Sequence, residues 1–193
     1  MNDFIKLFAE NLKGPYILRL MEATVNRICK EQAGIAAGKE KTDSTDIVID
    51  KCCTVLRICV DNGKYMPEMK DQFEEALKPV LKLLANPSAI KFDDDIIVLI
   101  KTFVKKSKGI SPVMWELFDL FPSVVAKNKG QLCDLIDTIN HFMVYGKQTF
   151  AQRECSIRAL AEIIEKAMFT HKIMSDCEGA VLCQLLMQSL AGT

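Results

Sequence analysis

The chain has 193 residues, 49% of them hydrophobic and 26% charged, which is enough apolar material to bury a substantial core. Lys plus Arg and Asp plus Glu both number 25, so the formal net charge is zero. The basic excess that neutralises phosphates in nucleic-acid binders is missing, and strongly polyionic partners are excluded. Eight cysteines would suit a secreted disulfide scaffold, but their placement argues otherwise. Cys29, Cys52, Cys53, Cys59, Cys133, Cys155, Cys177 and Cys183 all fall in apolar helical runs, where a thiol acts as a small hydrophobe. No run has the pattern of a signal peptide, and charges break the apolar stretches well short of a membrane span. Reduced cysteines without metal, in the cytoplasm or nucleus, are the expectation.

Apolar residues recur at steps of three and four along nearly the whole chain, which predicts an all-α fold. An opening segment from Asn2 to Lys13 ends at Gly14-Pro15, and a helix follows from Tyr16 to about Glu31. Residues Gln32 to Thr45, with Gly34, Gly38 and mixed charge, read as a mobile loop. A helix from Asp46 to Asp61 stops at Asn62-Gly63, a left-handed cap. Pro67 suits the first turn of the next, which reaches Ala85 before Asn86-Pro87. Asp93-Asp94-Asp95 opens a helix that closes on Lys105, Lys106 and Ser107, acid first and base last to match the helix dipole. Ser111-Pro112 starts another to about Lys127, and a further one runs from Gln131 to Tyr145, closed by Gly146. Capping boxes at Thr149 with Gln152 and Ser175 with Glu178 mark the last two helix starts.

Short loops between helices of about a dozen residues are the pattern of stacked helical hairpins. Pro79 and Pro122 each lie inside a continuing apolar period, so each should bend the first helix of its pair. They are 43 positions apart (79 to 122), the period of a HEAT repeat. The expected architecture is an α-α superhelix of about four HEAT-type hairpins. It forms one solenoid segment over residues 1–193, cut from a longer array because neither apolar end carries a polar cap.

The search for chemistry is mostly negative. Gly34 to Lys39 lacks one residue of a phosphate-binding loop and has neither the following Ser or Thr nor a preceding strand, so it reads as a linker. Cys52 and Cys59 share a helix face while Cys53 points elsewhere, and His141 and His171 stand in separate segments, so no metal set is nominated. The three aspartates from Asp93 read as a helix cap, and Trp115, among Met114, Leu117 and Phe118, as core packing. No catalytic residue and no cofactor is expected.

Ile90 to Lys127, reading IKFDDDIIVLIKTFVKKSKGISPVMWELFDLFPSVVAK, resembles the later HEAT repeats of the importin-β superfamily. The importin seven and eight class is the nearer branch, and the apoptosis-susceptibility exporter a more distant one. Ser111-Pro112 followed by Met114-Trp115 and Leu117 matches the start of one family helix, and Leu132 to Phe150 resembles the next. The resemblance implies a cargo-binding scaffold that shuttles between cytoplasm and nucleus. In the full-length protein it implies Ran GTPase and nuclear pore proteins as further partners, without nucleic acid or membrane insertion. No Ran-contact residues carry over, because the N-terminal repeats that hold them do not match. In this architecture the helices 93–107 and 131–145 would line the concave face. Lys101, Lys105, Asp134, Asp137 and His141 lie off their apolar stripes and are the candidate partner contacts. The rival readings are a vesicle-coat or cytoskeletal HEAT scaffold and a small helical enzyme.

Overall fold

The computed structural model describes residues 13–38, 42–61, 66–85, 93–127 and 132–166, with 180, 181, 183, 184 and 187. The opening segment up to Leu12, His171 and the Ser175–Glu178 capping box lie outside the described residues. Among the described residues all regular structure is helical. The chain divides into two compact units, Met1–Ser107 and Lys108–Thr193.

In the first unit, α1 is Gly14–Ala36, α2 Asp43–Asp61, α3 Met66–Leu81 and α4 Asp93–Ser107. Neighbours α1 and α2 pack as one hairpin and α3 and α4 as another; α1 then packs on α3, and α2 on α4. This is the two-layer stack of a helical-repeat protein, first helix on first and second on second. Ile17, Met21, Leu56, Phe73, Leu77, Ile100 and Phe103 fill the space between the layers and are buried.

The expected loop from Gln32 to Thr45 is a correction. Helix α1 continues through Gly34 to Ala36, and α2 already begins at Asp43. Glu31 and Gln32 are buried on this last stretch, and burial outweighs the roughly 1 kcal/mol that a mid-helix glycine costs. The stop is Gly38 instead, at φ +88°, where its amide donates to the Ile35 carbonyl at 3.0 Å. Pro67 sits in the first turn of α3 as expected. Pro79 lies within α3, which tightens three residues later into a 3-10 turn, Lys82–Ala85. Helix α4 has the bounds its charges foretell.

In the second unit, α5 is Pro112–Phe118, α6 Phe121–Lys127, α7 Leu132–Gln152 and α8 Glu154–Glu165. Ser111 caps α5, its Oγ accepting from the Met114 amide at 3.2 Å. The single bent helix expected through Pro122 is instead broken at Asp119-Leu120. Pro122 has no N–H for the Phe118 carbonyl, so the chain turns by an i→i+3 bond from the Leu120 amide to the Leu117 carbonyl, 3.1 Å. It then restarts with Pro122 in the first turn of α6, where a missing donor costs nothing. Pro79 and Pro122 therefore do not play the same part in their helices.

Gly146 does not end α7. It sits at non-helical φ −127°, ψ 20°, a kink after which the helix resumes to Gln152. The Thr149–Gln152 capping box is corrected accordingly, because both residues belong to this resumed stretch. The next helix is entered at Arg153, φ −99° and ψ 92°, without a side-chain cap. Phe150 explains the difference: it is fully buried against Trp115 and Phe118, at centroid distances of 6.1 and 5.6 Å, which holds the stretch on α7. Helix α8 packs on α5, α6 and α7.

Candidate functional site

The candidate contacts occupy the outer faces of two helices, one in each unit. On α4, Ile96, Ile97, Ile100, Phe103 and Val104 face the core, which turns Lys105 outward and leaves Lys101 half-buried one turn earlier. The adjacent Lys106 is drawn to α2, its Nζ 2.9 Å from Asp61 Oδ1. Lys101 is already engaged within the fold, so Lys105 is the more available of the two.

On α7, Leu135, Ile139 and Phe142 form the buried stripe. Asp134, Asp137, His141 and Tyr145 follow at steps of three and four, so they share the opposite side. His141 Nδ1 lies 2.7 Å from the Asp137 carbonyl, which can only accept, so Nδ1 carries the proton. The imidazole also tilts over Tyr145, with centroids 6.1 Å apart. Val144 beside them is 63% exposed, a large apolar side chain on a polar surface. Asp134 and Asp137 make contacts of their own within the fold. The structure brings together the two lysines on α4 and, separately, the three residues on α7.

The buried polar chemistry lies elsewhere. Burial first, then the carboxylates of Asp95 and Asp50 and the Cys52 thiol, push the Cys53 thiol up to about 12, against a smaller opposing effect of Arg57. Burial pushes Cys59 to about 12 as well. At neutral pH both are protonated hydrophobes, not thiolate nucleophiles. Cys29, Cys52 and Cys183 are half-buried, while Cys155 is exposed, contrary to its apolar setting in sequence; none of these six forms a disulfide. Cys133 and Cys177 lie outside the described side chains. No group of three His, Cys, Asp or Glu that could hold a metal ion occurs among the described residues. Nor is any described helix long and apolar enough to cross a membrane.

One polar cluster was not legible in sequence. Arg153, at the entry to α8, pairs with Asp119, at the exit from α5, at 2.8 Å, and its guanidinium lies over the ring of the buried Trp115. The partners are 34 positions apart, and no local pattern links them.

No family model matches the chain, and no solved structure matches it. It is similar to the nonsense-mediated mRNA decay protein 5 of Saccharomyces cerevisiae, with 21% identity over 191 residues. That match takes in 87% of this chain but only 18% of the yeast protein's length.

Proposed function

We propose that this chain is a protein-binding HEAT-repeat segment of an importin-like nuclear transport receptor, holding cargo during Ran-dependent passage between cytoplasm and nucleus. The observation that carries the reading is the two-layer stacking in the first unit, α1 on α3 and α2 on α4. Such stacks bury their apolar faces against neighbouring hairpins and leave one helix row free to select a partner through its polar edge. The family resemblance of Ile90 to Lys127 gives that partner surface a setting. The similarity to the yeast nonsense-mediated mRNA decay protein 5 runs over most of the chain, well beyond those residues. On this reading the chain is not an enzyme, and Lys101, Lys105, Asp134, Asp137 and His141 are the residues proposed to touch cargo.

Affinity capture with the full-length parent protein, with and without GTP-locked Ran, tests the proposal. Soluble nuclear proteins released by GTP-locked Ran are the expected result for an import receptor, and proteins retained only in its presence for an exporter. Recovery of coat or cytoskeletal proteins, indifferent to Ran, would replace it with a non-transport scaffold.

A further inference from the structure

Three interruptions of the helical run in the second unit meet at Trp115. At the break between α5 and α6, the Asp119 amide donates to the Trp115 carbonyl at 3.2 Å. At the α7 kink, a Cβ on Gly146 would stand 2.6 Å from Trp115 Cζ2. At the break before α8, the Arg153 guanidinium carbon lies 5.5 Å from the indole centroid. The same guanidinium ties two of these breaks directly. Arg153 Nη2 donates to Asp119 Oδ2 at 2.8 Å and Nε to Ser156 Oγ at 3.0 Å, while Ser156 Oγ donates to Asp119 Oδ1 at 3.2 Å. Ser156 is fully buried, so its hydroxyl has no exchange with solvent to fall back on.

We infer that Arg153 is a clasp that makes the α5–α6 break and the α7–α8 break open as one unit. Each break carries short turn bonds beside its helical ones: Leu120 to Leu117 and Ser123 to Leu120, next to Val124 to Leu120, on one side, and Arg153 to Phe150 and Ser156 to Arg153, next to Ile157 to Arg153, on the other. Turns of this kind are the low-stability end of a fold and open without global unfolding. Opening either one dismantles the Asp119–Arg153–Ser156 cluster and its contact with the indole. That loss is incurred once, so the second break opens without it, and the two events become coupled. A second tie runs from Lys166 Nζ to the Pro122 carbonyl at 3.4 Å, longer and not reaching Asp119, and it serves as the control. The inference stands whether or not the transport reading does.

Amide hydrogen exchange on the complete 193-residue chain tests it. Charge-assisted bonds and the cation–π contact together predict roughly tenfold faster exchange at Leu120, Ser123, Arg153 and Ser156 alike in Arg153→Met. Ile139 and Leu160, in helix interiors, should not change. Asp119→Asn, which keeps shape, should accelerate the same four amides; Lys166→Met should leave them alone. The inference is overturned if Arg153→Met speeds only the amides at 153 and 156, or if Lys166→Met matches its effect. It is equally overturned if Asp119→Asn speeds Ile139 as much as Leu120, since the breaks would then open only with the whole unit.

Discussion

Cys53 and Cys155 are set in opposite surroundings although both sit in helices of similar apolar character. Burial and nearby carboxylates keep Cys53 protonated far above neutral pH, whereas Cys155 is open to solvent. Native-state alkylation at pH 8, read by peptide mass spectrometry, should therefore label Cys155 at least about tenfold faster than Cys53 or Cys59. Equal labelling would mean that the α2 core is open. Asp95 supplies a second test. Desolvation raises its carboxyl pKa, Asp50 adds to the rise and Arg57 opposes it. A raised folded value means that the native state holds the proton more tightly than the unfolded chain. Its contribution to stability is therefore fully present below the ordinary value of about 3.9 and is lost as pH rises through the folded pKa. Because Asp95 is only half-buried, solvent screens the effect and it is small. Asp95→Asn should raise the melting temperature at pH 7 by about 1–2 °C and leave it unchanged at pH 3, as measured by calorimetry. A lower melting temperature at pH 7 would show that the Arg57 attraction prevails.

Helices were legible wherever polar chemistry stood at both ends. Asp93–Ser107 could be read residue for residue, and Ser111-Pro112 marked its helix start correctly. The misses arose where a short local pattern met a tertiary demand. Gly34 looked like a stop, but burial of Gln32 carried the helix on to Ala36, and the stop fell at Gly38. Thr149 with Gln152 looked like a helix start, but Phe150 was already committed to the aromatic core. The left-handed turn after α4, φ +49°, falls on Lys108 and not on the neighbouring Gly109. Lys108→Gly should stabilise the chain by about 0.5–1 kcal/mol in urea unfolding, because glycine adopts that conformation without strain. Gly146 is the opposite case. Its φ is negative, so any residue fits the backbone, yet a Cβ would meet Trp115 at 2.6 Å and Ile110 Cδ1 at 2.7 Å. Gly146→Ala should cost about 1–3 kcal/mol by overpacking, and Ile110→Val, which removes that methyl, should recover part of it. Additive losses in the double variant would refute the steric account. The candidate contacts were legible as residues off the apolar stripe, because helical period alone decides that. Arg153 was not, because its partner Asp119 is brought to it only by the packing of α8 on α5.

Contacts in the chain fall into two compact units that meet in sequence at Ser107-Lys108. A helical stack is held by neighbours, not by one central core, so part of it can fold without the rest. Residues 1–107 expressed alone should keep helical circular dichroism and melt cooperatively; a non-cooperative melt would mean that the first unit depends on the second. The proposed cargo contacts divide along the same line, Lys101 and Lys105 in one unit and Asp134, Asp137 and His141 in the other. Charge reversal at Lys105, the exposed one of the α4 pair, should then weaken cargo capture by the parent protein without lowering thermal stability, since an exposed charge contributes little to folding.

The solitary tryptophan gives the molecule a built-in optical asymmetry. Trp115 is the only indole in 193 residues, only 3% exposed, and ringed by Phe118, Phe142 and Phe150. Its emission should be blue-shifted in the folded state and should report on the second unit alone, while far-ultraviolet circular dichroism sums over both. Heating the chain with both signals recorded turns that asymmetry into a measurement. Coincident curves mean that the two units unfold together, and a fluorescence change displaced along the temperature axis shows which of them lets go first.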